Sequence, residues 1–383
     1  MAHKAAHTAS AKAAKARPPY RADHVGSLLR PPQLAQARAQ WHEGKLSAEA
    51  LRIIEDKAIA QAVALQEGAG LRSITDGEFR RDYWHLDFMW GFDGVEPSSE
   101  TVPVPFSNGE FFTAPMAIVT AKVRYPAHGI MRDHFKYLAK HTKRTPKFTA
   151  PAPTMFRHRS GRKAVSEQAY PDIGEFWADL GQAYNAAMRD LASAGCRYLQ
   201  LDDVNSCMLC DEQARERIRG QGGDPDTVLG QNIAVINASI AGRPADMVVT
   251  THFCRGNYKS QWMAAGGYEA IADRFLSQVD VDGFFMEYDS ERAGDFKPLR
   301  FLPKGKIAVL GLISSKLPQL ESKDALKRRI EEAARYAPLE QLALSPQCGF
   351  SSTHHGNALS HDDQRRKLEL IVSVAEDVWG SAQ

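Results

Sequence analysis

The order of apolar and amphipathic segments predicts an α/β protein, a (β/α)8 TIM barrel, on three observations. Eight short apolar runs alternate with amphipathic helical stretches, the pattern of a parallel sheet wrapped by helices. A chain of 383 residues has room for one such barrel with insertions. Gly70 and Gly195 stand where helices should stop, just before the next strand. Strands are expected near 22–27, 72–76, 147–151, 197–202, 247–252, 283–287, 306–312 and 342–346. Helices are expected over 47–68, 173–194, 224–241, 267–277, 322–337 and 361–378, where apolar residues recur at three- and four-residue intervals.

The segment 82–146, after the second strand, is too long for a simple crossover. It carries its own alternating stretches, 101–106 and 116–125, around the turn residues Ser107-Asn108-Gly109. An inserted hairpin plus helix is expected, covering the barrel mouth or an oligomer interface. A homo-oligomer is therefore compatible with the sequence. The expected organisation is a disordered basic tail over 1–19 followed by a single barrel domain over 20–383.

Hydrophobic residues make up 43% and charged residues 25% of the chain, an ordinary soluble composition. The formal charge of +2 arises in the tail, where Lys4, Lys12, Lys15 and Arg17 meet no acid; removing those four from 48 basic residues leaves 44 against 46 acidic. No nucleic-acid-binding surface is indicated. The tail lacks the apolar segment of a secretory signal, and no apolar run approaches the roughly 20 residues of a membrane span. A cytoplasmic protein is expected. Five cysteines at irregular spacing argue against a disulfide framework and for thiols or metal ligation.

Polar residues cluster where the predicted strands end, and in a barrel this is where chemistry collects. The run Thr251-His252-Phe253-Cys254, with Glu287 and Cys348, can supply two sulfurs, one nitrogen and one oxygen to a tetrahedral zinc ion. Taken singly, His252 or Cys254 is ordinary packing and Glu287 a surface acid; together they favour a catalytic metal. Cys207 and Cys210 have knuckle spacing but no second pair, and their Met-Leu filling suits a buried helix start. Two thiolates and a carboxylate make zinc a poor Lewis acid for water, yet able to hold a substrate thiol as thiolate. The implied chemistry is S-alkylation of a thiol.

Glu78 and Asp202 are placed to grip an amine, with salt bridges to Arg80, Arg81 or Lys147 as the plainer reading. The Val25-Gly26-Ser27 turn can receive a carboxylate, Gly26 allowing close approach; the plainer reading makes Ser27 the cap of a helix beginning at Pro31. Together these residues describe an amino-acid pocket.

At these positions the chain resembles the catalytic domain of the cobalamin-independent methionine synthases, and more closely their short single-barrel bacterial relatives. The match is carried by Asp23-His24-Val25-Gly26-Ser27-Leu28-Leu29-Arg30-Pro31, Thr75-Asp76-Gly77-Glu78-Phe79-Arg80-Arg81, Gln200-Leu201-Asp202-Asp203, His252-Phe253-Cys254 and Ser345-Pro346-Gln347-Cys348-Gly349, over about residues 20–380. The resemblance implies His252, Cys254, Glu287 and Cys348 as zinc ligands, and Ser27, Glu78 and Asp202 as the residues that bind homocysteine, which would become methionine. Methyl-folate or a methylated corrinoid protein would be the methyl donor. The second, N-terminal barrel of the long enzymes has no counterpart here. Their general-acid His corresponds to Ile313, which cannot protonate a leaving amine; His24, His354 and His355 are the candidate replacements, with Asp202 as a further catalytic group. Rival readings are a zinc barrel that opens epoxides with coenzyme M, a metal-free enzyme like uroporphyrinogen decarboxylase, and a zinc-binding or corrinoid-docking scaffold without turnover.

Overall fold

The computed structural model describes residues 17–157 and 161–383; residues 1–16 of the expected tail lie outside them. Ten strands are present among the described residues: β1 Ser73–Ile74, β2 Asp93–Pro105, β3 Phe111–Arg124, β4 Thr145–Pro146, β5 Phe148–Pro151, β6 Tyr198–Asp203, β7 Val248–Phe253, β8 Gly283–Glu287, β9 Ile307–Ile313 and β10 Leu342–Pro346. Strands β5 to β10 form one parallel sheet in sequence order, and β1 pairs in parallel with β4. Ala22 bridges Leu344 of β10, and the Asp23 N–H donates to the Leu344 carbonyl at 3.0 Å. These contacts carry the sheet round into a (β/α)8 barrel.

The eleven helices are α1 Pro32–His42, α2 Ala48–Gly68, α3 Leu86–Met89, α4 Arg132–His141, α5 Ile173–Ser193, α6 Val204–Met208, α7 Glu212–Gly220, α8 Pro225–Ile240, α9 Glu269–Gln278, α10 Lys323–Ala333 and α11 His361–Trp379, counted among the described residues. Their starts are set by local chemistry. Ser47, Asp172, Asp224 and Ser322 accept backbone N–H groups at the starts of α2, α5, α8 and α10, and Ser360 with Asp363 forms a capping box on α11.

The six expected helices all appear, but the expected strand over 22–27 reduces to the single bridge at Ala22. Gly26 lies at φ 140°, where the chain leaves extended geometry. Side chains take over the closure. Asp23, fully buried, accepts from Lys147 Nζ at 3.2 Å, Ser73 Oγ at 2.7 Å and Tyr198 Oη at 2.8 Å. Lys147 Nζ also donates to the His24 carbonyl at 2.5 Å and sits over the Phe285 ring. Three separate barrel segments are thus tied to one carboxylate below the site. Beside it, Val25, Phe285, Val309 and Ala343 pack as a small apolar layer.

The expected insertion is present as the β2–β3 hairpin followed by α4. Its tip lies across the barrel mouth: the Ser107 N–H donates to the Trp262 carbonyl at 2.9 Å, Ser107 Oγ to Gln261 Oε1 at 2.8 Å, and the Phe106 ring is 5.0 Å from Tyr258. Among the described residues no helix is long and apolar enough to cross a membrane.

Removing one member of a buried ion pair strands the other charge. The Lys147→Met variant is expected to lose about 3–5 kcal/mol of stability, read from urea unfolding. Adding Asp23→Leu in the same chain should recover most of that loss; a double variant as unstable as the single would show that the closure does not depend on this pair.

Candidate functional site

Period-two alternation aims the site residues. His252, at the end of β7, and Cys254, two residues on, share the inward face, while Phe253 between them packs outward against Tyr268 and Phe275. Asp202 on β6 is the register neighbour of His252. Glu287 ends β8 beside Gly311 of β9, and Cys348 follows β10 by two residues.

The four expected metal ligands converge. One donor atom from each of His252, Cys254, Glu287 and Cys348 lies within 4.8 Å of every other, and the two sulfurs are 3.6 Å apart. Zinc–sulfur bonds of about 2.3 Å in a tetrahedron place two sulfurs roughly 3.8 Å apart, so the pair already stands at ligand spacing. Neither ring nitrogen of buried His252 has a hydrogen-bond partner among the described residues. An orphaned buried polar group costs about 1–3 kcal/mol, which a metal bond would recover. Contact with Cys254 first, against burial, and then His252 and Lys316 pull the Cys348 thiol well below its ordinary range. The donor set and spacing fit zinc.

Glu287 is held from behind. Its Oε1 accepts the Arg255 N–H at 3.1 Å and its Oε2 accepts Arg292 Nη2 at 2.8 Å, while Arg292 also reaches Asp289 at 3.0 Å. Such supporting bonds fix a ligand's orientation. Sequence reasoning missed Arg292; its spacing of five from Glu287 was the only available signal.

The ligands open onto a cavity that Val25, Ser27, Glu78 and Asp202 also line. Glu78 is presented by a left-handed residue pair, Gly77 at φ 68° and Glu78 itself at φ 62°. The strain at a non-glycine residue there is of order 1–2 kcal/mol, and the Glu78 N–H offsets part of it by donating to Asp76 Oδ1 at 2.9 Å. Thr149 Oγ1 donates to Glu78 Oε1 at 2.6 Å, and Arg81 stands 3.6 Å from the same oxygen. Burial raises the Glu78 carboxyl above its usual range, with Arg81 and Thr149 opposing. Asp202, held by Gln200 at 2.7 Å, is pushed up to about 7 by burial, with His252 opposing and Glu78 adding. Two such carboxylates gain from an incoming cation. Of the salt bridges weighed from sequence, only Arg81 reaches Glu78; Arg80 pairs with Glu55 and Asp56, and Lys147 with Asp23.

Two glycines permit close packing around the cavity. A Cβ on Gly349 would lie 1.9 Å from Ser27 Oγ, and one on Gly26 would lie 2.6 Å from the Thr149 side chain that holds Glu78. Both positions therefore demand glycine for close approach. Ser27 lines the cavity and does not cap α1, whose N-cap is Pro31.

His24 requires a correction. Its ring is buried against the Ser73 carbonyl, with Nε2 at 3.2 Å, and does not line the cavity. Buried against Ser73 and away from the cavity, His24 has no geometric basis for the catalytic part expected of it. His354 and His355 are exposed and stack on each other at 3.9 Å. Ile313 is fully buried. Cys207 and Cys210 are buried, as expected of core residues. Sequence reasoning also missed Tyr83, Trp84, His85 and Phe106, which line the cavity from the insertion.

Comparison with known proteins identifies the family and the fold. The family model described as "Cobalamin-independent synthase, Catalytic domain" matches residues 22–377. The uncharacterised protein YxjH of Bacillus subtilis is 44% identical over 363 residues, covering 94% of this chain and 95% of that protein. A putative vitamin-B12-independent methionine synthase from Listeria monocytogenes superposes with a TM-score of 0.77 at 34% identity, over 96% of this chain and all of the other. A B12-independent methionine synthase from Shewanella, solved in complex with selenomethionine, superposes at 0.74 with 20% identity, over 94% of this chain and 98% of the other, which shows a shared fold. The chain belongs to the family of cobalamin-independent synthase catalytic domains.

Proposed function

We propose that this protein is a zinc-dependent S-methyltransferase that converts homocysteine to methionine. The observation that carries the reading is the convergence of His252, Cys254, Glu287 and Cys348, with two sulfurs at 3.6 Å and an imidazole that makes no hydrogen bond of normal geometry among the described residues. Zinc held there supplies the positive charge that keeps a thiol ionised at neutral pH. Methyl transfer within this family and the selenomethionine bound to the Shewanella protein support homocysteine as the thiol.

The chain's own groups position that substrate. Glu78 and Asp202 receive the ammonium, and Ser27 with the Val25-Gly26-Ser27 backbone receives the carboxylate, leaving the sulfur beside Cys254 and Cys348. Asp202, next to His252 in register, links the amine site to the ligand set. Most of the rate gain then comes from holding an ionised nucleophile in line with the methyl carbon. The paired carboxylates disfavour coenzyme M, which has a sulfonate and no amine. The five free cysteines suit the reducing cytoplasm.

Two measurements test the assignment. The Cys348→Ser variant should bind zinc more weakly by over about 100-fold, beyond what loss of a supporting group costs, in competition with a chromogenic chelator. Unchanged affinity would remove the metal from this site. Glu78→Gln should raise the KM for homocysteine by about 10–100-fold, the worth of one charged hydrogen bond, with zinc content unaltered; an unchanged KM would take the amine away from Glu78.

A further inference from the structure

The loops that follow β9 and β10 meet beside Cys348, and each brings a polar side chain to it. Ser352 follows Cys348 by four residues and lines the cavity, with its Oγ 3.6 Å from Cys348 Sγ. Lys316 follows the end of β9 by three residues and is 3% exposed. Its Nζ has no hydrogen-bond partner among the described residues. A buried ammonium without a partner is costly, so its place calls for a negatively charged neighbour.

Donor and acceptor roles at Ser352 follow from the bonds around it. Asn257 places one terminal amide atom 2.8 Å from the Gly349 carbonyl and 3.1 Å from Ser352 Oγ. A carbonyl only accepts, so that atom is the amide nitrogen, and its second hydrogen goes to Ser352 Oγ. Ser352 then has its own O–H left to donate, and Cys348 Sγ stands within reach of it. The backbone of Lys316 is fixed among the same loops: Ser260 Oγ donates to its carbonyl at 2.7 Å, and Ser315 Oγ, one residue before, donates to the Gly349 carbonyl at 3.0 Å. Its ammonium acts on the same sulfur, since after Cys254 and His252 it helps pull the Cys348 thiol down against burial.

We propose that Ser352, turned by Asn257, and Lys316 are positioning residues that draw negative charge off the Cys348 sulfur and so make the site prefer a thiolate substrate to a thioether product. This rests on the zinc and thiol reading and concerns which sulfur such a site retains. Two cysteine sulfurs and a carboxylate already surround the ion with negative charge, and a third sulfur entering as thiolate adds one more. Donors on Cys348 spread that charge. The anion gains from them, whereas methionine, whose thioether is neutral, gains little. Homocysteine is thereby favoured over methionine in the same pocket, which eases the exchange of product for substrate.

The test uses the full chain with cobalt in place of zinc. Thiolate-to-metal absorption reports homocysteine binding, and displacement of that signal by methionine gives the second affinity. Ser352→Ala and Lys316→Met should each weaken homocysteine binding by about tenfold, the lower end of what loss of a ligand's supporting group costs, with methionine affinity changed far less. Ser352→Thr, which keeps the hydroxyl, should restore the wild-type ratio of the two affinities. A purely structural defect would weaken both ligands alike. Ser352→Ala strands no charge and decides the matter alone if Lys316→Met does not fold. If homocysteine binds the wild-type chain but the ratio is unchanged in either folded variant, the proposal falls and the thiol reading stands. If homocysteine fails to perturb the wild-type cobalt spectrum, the thiol reading itself falls and takes the proposal with it.

Discussion

The site depends on closure of the barrel, because its metal-type ligands belong to strands that are far apart in sequence and adjacent only in a closed sheet. The ladder does not complete that closure unaided: the segment after Ala22 leaves extended geometry at Gly26. Asp23 makes up the difference by joining Lys147, Ser73 and Tyr198 beneath the cavity. The turn at Gly26 that weakens the first strand also brings Ser27 against Gly349. One local departure from regular structure thus creates both a gap in the ladder and a wall of the pocket.

Above this floor the site is built from groups poorly satisfied by the protein alone. Among the described residues His252 makes no hydrogen bond of normal geometry through either ring nitrogen, with Cys348 its neighbour; two sulfurs stand in contact, and Glu78 and Asp202 are carboxylates raised by burial. Each is a cost in the free protein, and positive charge placed beside it would relieve that cost. Rigid supports keep these groups from relaxing into pairs of their own. Arg292 and the Arg255 N–H occupy the outer sides of Glu287, and Thr149 fixes Glu78. Preorganisation of this kind lowers the cost of orienting the ligands when substrate arrives.

Much of this was legible in the sequence because barrel chemistry follows a simple rule. Apolar runs ending in His, Cys, Asp or Glu mark strand ends, and strand ends share one rim; His252, Cys254, Glu287 and Cys348 were readable on that basis. The rule does not separate out His24, which faces the Ser73 carbonyl while Val25 and Ser27 face the cavity. Arg292 carries only a spacing of five from Glu287, too weak a pattern to single it out, because a residue that supports a ligand is defined by distance in the fold. Tyr83, Trp84 and Phe106 reach the cavity from an insertion whose docking depends on contacts with residues 258–262, about 150 positions away. Sequence spacing could describe the hairpin, but not which surface it would cover.

The buried Ile313 bears on the leaving group. It ends β9, fully enclosed, and its aliphatic side chain cannot deliver a proton to a departing nitrogen. The exposed pair His354 and His355 does not replace it. Burial, followed by repulsion from neighbouring cations, lowers both, His355 to about 4, so that His355 is unprotonated at neutral pH. Asp202, pushed to about 7 by burial, holds a proton more readily than an ordinary carboxylate. The proton that Ile313 cannot supply is therefore not replaced by either of these two histidines.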